Sequence, residues 1–204
     1  MSYQDLSKFA VPQGFRGRSK VIVQLWWLVQ ATLFRGSPQV AYGFRRMLLR
    51  LFGAKVGTGV LVRPSVRITY PWKISFGDQC WVGDNVNLYS LGPITIGKNA
   101  VVSQESYLCT GDHDHTDPAF AIRAKPITIG EEAWVAAGTF IAPGVSIGKA
   151  TVVGARSVVF TDMPPGMICR GSPCIPVRRR ETSAIGAPQI GRGKVATSPS
   201  SRSV

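Results

Sequence analysis

The stretch from Pro126 to Phe160, PITIGEEAWVAAGTFIAPGVSIGKATVVGARSVVF, carries an aliphatic residue at every sixth position: Ile129, Val135, Ile141, Ile147, Val153 and Val159. An α-helix repeats every 3.6 residues and a flat strand every 2, so a strict period of six predicts an all-β solenoid in which three hexads make one triangular coil. The aliphatics point inward and stack on their counterparts one coil away. Small residues follow most of them, as in Ile129-Gly130, Val135-Ala136, Ile147-Gly148 and Val153-Gly154. These are corner positions, where glycine is expected because it accepts backbone angles that a Cβ penalises.

The phase extends upstream with two-residue offsets through Val56, Val62, Ile68 and Ile74, then Phe76, Val82, Leu88 and Ile94, then Ile96, Val102 and Leu108. Three offsets fall in a recurring phrase, Lys73–Gly77, Pro93–Gly97 and Pro126–Gly130. The first two phrases lie 20 residues apart and the next two 33, so 13 residues leave the third coil, and Gly111 to about Arg123 is the stretch that breaks the hexads. A solenoid that interrupts its repeat once is expected to keep its function in the interruption.

Both histidines of the chain lie there, in Thr110-Gly111-Asp112-His113-Asp114-His115-Thr116-Asp117. An H-x-H flanked by aspartates is a possible zinc ligand set, but a β-helix carbonic anhydrase draws three histidines from neighbouring coils and this chain has two. No metal is therefore expected. General-base catalysis needs one imidazole, which titrates close to neutral pH.

The formal net charge of +13 is uneven, with +7 in residues 1–50, +4 in 51–180 and +2 in 181–204. Val21–Phe34 is apolar but, at 14 residues, shorter than the roughly 20 a membrane span needs. Val40, Phe44, Met47, Leu48 and Leu51 follow at helical spacing with Arg45, Arg46 and Arg50 between them. Residues 1–52 are thus a basic helical segment with two compatible readings: a lid over the open end of the solenoid, or a surface for the inner face of the cytoplasmic membrane, where the arginines meet lipid phosphates. A nucleic-acid partner is not expected, because the charge sits on an apolar helical segment and on a tail without an aromatic platform. Residues 53–180 form the solenoid domain, and 181–204, rich in Ser, Gly, Pro and Ala, are expected to be disordered. Four cysteines without a C-x-x-C pair, and no visible signal peptide, point to buried thiols in a reducing cytoplasm.

Taken together, the hexads, the T-G-x-H segment ending in His113, Ala142–Gly148, Val153–Val159 and Gly171-x-Pro173 resemble the left-handed β-helix, or hexapeptide-repeat, acyltransferases. The N-terminal QLWWLVQATLF and SPQV segments and the R-x-S-V-x-I-T-Y-P-W run (Arg63–Trp72) resemble the colanic acid biosynthesis O-acetyltransferases within them, over roughly residues 3–180. The resemblance implies a left-handed parallel β-helix, assembly as a homotrimer with shared active sites, and acetyl transfer from acetyl-CoA to a sugar hydroxyl, with a lipid-linked sugar as one form of the acceptor. The alternatives are a different acceptor, such as an aminosugar nitrogen or a xenobiotic, and a non-catalytic scaffold. By motif position His113 is the catalytic base and Ala137 and Ala155 line the pantetheine slot bordered by Trp134; Asn85 matches an acceptor-binding asparagine of the family or caps a turn, and Arg178, with Arg170, Arg179 and Arg180 nearby, meets the CoA phosphates or belongs to a solvated C-terminal charge run. Backbone N–H groups from Ala136 to Gly138 are the expected oxyanion donors.

Overall fold

The computed structural model describes residues 3–182; the expected disorder of the tail falls, but for its first two residues, outside them. From Lys55 onward the chain winds about six coils of short parallel strands. The inward columns are those the hexads predict. Val56, Phe76, Ile96, Ile129 and Ile147 stack on face 1, with Met163 bridging to the last of them. Val62, Val82, Val102, Val135, Val153 and Cys169 stack on face 2, and Ile68, Leu88, Leu108, Ile141 and Val159 on face 3. Nearly all are fully buried, and each such aliphatic contributes roughly 1.5–3 kcal/mol.

The corner glycines have a different cause from the one expected. Gly77, Gly97, Gly130 and Gly148 do not adopt the left-handed conformation. They are glycine because successive coils touch there: a Cβ on Gly97 would lie 2.6 Å from the amide nitrogen of Glu131. The left-handed position comes two residues later in each corner, at Gln79, Asn99, Glu132, Ala150 and Gly166, most of them not glycine. The N–H of each donates at 2.8–2.9 Å to a carbonyl of the preceding coil, which offsets the torsional cost. Gly97→Ala should therefore cost about 3 kcal/mol, because rigid backbone must move apart. Gly166→Ala should cost only about 1 kcal/mol, since a Cβ there meets open space and Ala150 already holds φ 58° at the equivalent corner. Urea unfolding midpoints of the two variants check this ordering, and equal losses would show that the close approach of the coils does not set the cost at Gly97.

The N-terminal segment is a lid. Helices α1 (Lys20–Val29) and α2 (Tyr42–Leu51), joined by a π-helical turn, bury Trp26, Phe34, Leu48 and Leu49 in the same core as the first coils. The arginines of α2 do not point to a lipid surface. Arg45 is fully buried and donates to the carbonyl oxygen of Val62 at 2.7 Å, to those of Pro38 and Gln39, and to Ser37 Oγ. Arg46 donates to the Val60 carbonyl, and Arg50 to those of Val56 and Gly57. On face 3, Trp26 Nε1 donates to the Ile68 carbonyl and Gln30 accepts from the Ile68 N–H. Together they satisfy edge groups on all three faces of the first coil, which would otherwise template strand addition. At the other end the antiparallel hairpin Met167–Gly171 and Cys174–Arg179 extends face 2.

Cys80, Cys169 and Cys174 are buried free thiols, as expected, whereas Cys109 is half-exposed on face 3. Burial pushes the Cys80 thiol up to about 12 and that of Cys169 to about 11. Both behave as core filler. No described helix is long and apolar enough to cross a membrane.

Candidate active site

The interruption is an antiparallel hairpin, Gly111–His113 paired with Ile122–Ala124, leaving the corner between faces 3 and 1 of the third coil. Its root is fixed by Thr110, a buried residue whose hydroxyl donates to the Tyr89 carbonyl at 2.6 Å and accepts from the Gly92 N–H at 2.8 Å. The Lys125 N–H donates to the Thr110 carbonyl and closes the root. Arg123 clips the outgoing strand from across the hairpin, bridging Asp112 Oδ1 at 3.1 Å and Asp114 Oδ2 at 3.3 Å and donating to the His113 carbonyl. These ion pairs are well exposed and add little stability; their effect is positional.

His113 thus projects from the hairpin, paired across it with Ile122. Its Nδ1 lies 2.8 Å from the Phe120 carbonyl oxygen. A carbonyl only accepts, so Nδ1 carries the hydrogen of the neutral ring and the lone pair lies on Nε2. The Phe120 ring stacks on the imidazole at 4.1 Å and 9° between planes, and Phe9 approaches at 5.8 Å. Phe120 pays for its placement with φ 53°, the one non-glycine left-handed torsion among the described residues that lies outside the coil corners. Strain of this kind persists where surroundings over-determine it. The imidazole is therefore held by a hydrogen bond on one edge and the Phe120 ring on one face, with the tilted Phe9 ring beside it. His115 is exposed near the tip and takes no part in this clamp, while Asp114 folds the tip by accepting from the N–H and hydroxyl of Thr116.

The other predicted residues stand elsewhere. Asn85, Ala137 and Ala155 share one column, the corner between faces 2 and 3, tied together by Glu105 N–H to Asp84 O, Gly138 N–H to Gln104 O and Arg156 N–H to Ala137 O. Asn85 has φ 55°, so the backbone alone favours asparagine there. Trp134 is half-exposed on face 2, with Nε1 donating to Ser103 Oγ at 2.9 Å. Arg178 is exposed on the terminal hairpin, but Arg180 is engaged, donating to the carbonyls of Glu132 and Ala150. Of the expected oxyanion donors, the Ala136 and Gly138 N–H groups are spent on Val153 and Gln104 of adjacent coils, which leaves Ala137. Within one chain, then, His113 and the small-residue column occupy different corners. No group of three or more His, Cys, Asp or Glu able to hold a metal occurs among the described residues.

Three partners of His113 carry no sequence signal: the Phe120 carbonyl, the Phe9 ring, and the strap of residues 5–18 that brings Phe9 there. The strap is pinned by the Asp5 N–H on the Pro118 carbonyl, by Trp72 Nε1 on the Arg16 carbonyl, and by Lys73, which donates to the carbonyls of Phe15 and Leu91.

The chain is 61% identical over 177 residues, 87% of its own length and 97% of the relative's, to an Escherichia coli (strain K12) protein described as the colanic acid biosynthesis acetyltransferase WcaF. The chain belongs to the hexapeptide-repeat acetyltransferases. It is also 32% identical over 137 residues to the galactoside O-acetyltransferase of the same organism, covering 66% of this chain and 68% of that one. Among solved structures, a galactoside acetyltransferase in complex with coenzyme A superposes with a TM-score of 0.73 at 26% identity, over 83% of this chain and 84% of that one. A maltose O-acetyltransferase from Clostridium difficile gives 0.72 at 26%, over 80% and 90%. No protein-family model matches the chain. Membership makes this hexapeptide-repeat protein an acetyltransferase, and its solenoid is the left-handed β-helix of that family.

Proposed function

We propose that the protein transfers an acetyl group from acetyl-CoA to a sugar hydroxyl in the biosynthesis of an exopolysaccharide of the colanic-acid kind, with His113 as general base. The observation that carries the mechanism is the 2.8 Å contact between His113 Nδ1 and the Phe120 carbonyl, which leaves Nε2 free to accept a proton. In the reaction Nε2 takes the hydroxyl proton as the sugar oxygen bonds to the thioester carbonyl carbon. The carbonyl oxygen becomes an oxyanion, for which the Ala137 N–H is the available donor. Collapse breaks the carbon–sulfur bond, and the thiol leaves with the proton from Nε2. No covalent enzyme intermediate is needed.

Ala137, Gly138 and Ala155 suit the thin pantetheine arm, since all three are small, with Arg156 beside them and Trp134 bordering them. Arg178 and Arg170, both exposed, would meet the CoA phosphates. Because the base and this column lie at different corners, one site takes His113 from one subunit and the column from its neighbour, and a homotrimer supplies that pairing. The outward residues favour such packing. Face 1 presents Ser75, Thr95, Thr128 and Ser146, whereas face 2 presents Leu61, Trp81, Val101, Trp134, Val152 and Ile168. Apolar surface of that extent on a soluble face marks an interface.

Incubation with labelled acetyl-CoA and polysaccharide repeat-unit oligosaccharides, followed by mass spectrometry, tests the reading: an ester on a sugar hydroxyl supports it, and an amide on an aminosugar overturns it. Asn85 is tested separately. Asn85→Gly keeps the left-handed torsion and removes the amide, so an acceptor contact predicts a rise of about tenfold in KM for the sugar with unchanged unfolding. Unchanged kinetics would leave Asn85 a corner residue only.

A further inference from the structure

Residues 6–52 contain eight Lys and Arg and not one Asp or Glu. The lid built from them is apolar on both sides. Its inner side fills the core, but its outer side carries two bare stripes, Val21, Leu25 and Leu28 on α1 and Phe44, Met47 and Leu51 on α2, with Val21 and Leu51 each 75% exposed. The stripes meet in a groove of about 370 Å³ lined by Ile22 and Leu25 of one helix and Leu51 and Phe52 beside the other, with Arg18 on its rim. Arg45, Arg46 and Arg50 are spent on the solenoid. Arg18, Lys20 and Arg35 are exposed near the ends of the α1 segment, and none has a carboxylate partner among the described residues.

We propose that this outer face of the lid docks on an anionic phospholipid bilayer. The two stripes enter the boundary between headgroups and acyl chains, and Arg18, Lys20 and Arg35 sit among the phosphates. Each helix has ten residues, so the segment lies on the membrane and does not span it. A protein partner would also cover apolar stripes, but a lid segment of 47 residues without a carboxylate complements a uniformly negative surface better than a mixed one. The inference goes beyond the acetyl-transfer reading: it uses neither His113 nor acetyl-CoA, and the two fail independently.

The test is flotation of the full chain with vesicles, scored without substrate. The protein should float with phosphatidylcholine–phosphatidylglycerol vesicles at about 0.1 M salt, fall away at about 1 M, and ignore phosphatidylcholine alone. Replacing Arg18, Lys20 and Arg35 together by Gln should weaken partitioning about 100-fold. Leu25→Asp with Leu28→Asp should abolish it, with helical circular dichroism and solution molar mass unchanged. Absence from anionic vesicles at low salt, or wild-type flotation by both variants, would overturn the proposal. So would a lower molar mass for the Leu25→Asp/Leu28→Asp variant, which would make the face a contact between copies of the chain.

Discussion

His113→Ala should lower kcat by about 10²–10⁴, equivalent to roughly 3–5.5 kcal/mol of transition-state stabilisation, and leave the KM for acetyl-CoA nearly unchanged. The asymmetry follows from the geometry: the ring is clamped on the hairpin, and the small-residue column proposed for the pantetheine arm belongs to another corner. His115→Ala should change either constant by less than about threefold, because His115 stands outside the clamp. Steady-state kinetics on the two variants decide the matter. Equal losses would undo the assignment, and loss of wild-type activity to a chelator would restore the metal reading of the H-x-H pair.

The second large effect is on stability. Arg45→Met should lower the unfolding free energy by about 3 kcal/mol, since the Val62 carbonyl loses its donor in a buried place, at roughly 1–3 kcal/mol, and the part-buried carbonyls of Pro38 and Gln39 and the Ser37 hydroxyl lose theirs as well. For a chain of this size that is a fall of about 6–12 °C in Tm. Arg35→Met, an exposed change on the same lid, should stay within about 2 °C. Thermal unfolding followed by circular dichroism measures both, and a Tm for Arg45→Met close to wild type would mean that the lid is not held through this residue.

Arg45 also marks where reading the sequence stops. Helical spacing placed it among polar positions of an amphipathic helix, and nothing in that pattern distinguishes an arginine facing water from one turned onto the bare carbonyls of a β-coil. The inward columns were legible to the residue, because a period of six leaves one arrangement that buries every aliphatic. The corner glycines were legible as positions but not as causes: a missing Cβ serves torsion and close approach alike, and only the 2.6 Å separation at Gly97 separates them. Likewise the left-handed corners, filled by Gln79, Asn99 and Glu132, have no compositional mark. His113 stood out because histidine is rare in the chain and fell in the interruption. What orients it did not, since the Phe120 carbonyl is a group every residue has and Phe9 arrives from more than a hundred residues upstream.

That last approach links two parts of the molecule that look independent. The strap runs from Asp5, on the Pro118 carbonyl of the His113 hairpin, past Phe9 and the anchors at Phe15 and Arg16, directly into the first turn of α1. The lid and the His113 hairpin are thus joined by one short, pinned length of chain. Phe9, which packs beside His113, and the N-cap of α1 are therefore held to the same solenoid through one set of anchors.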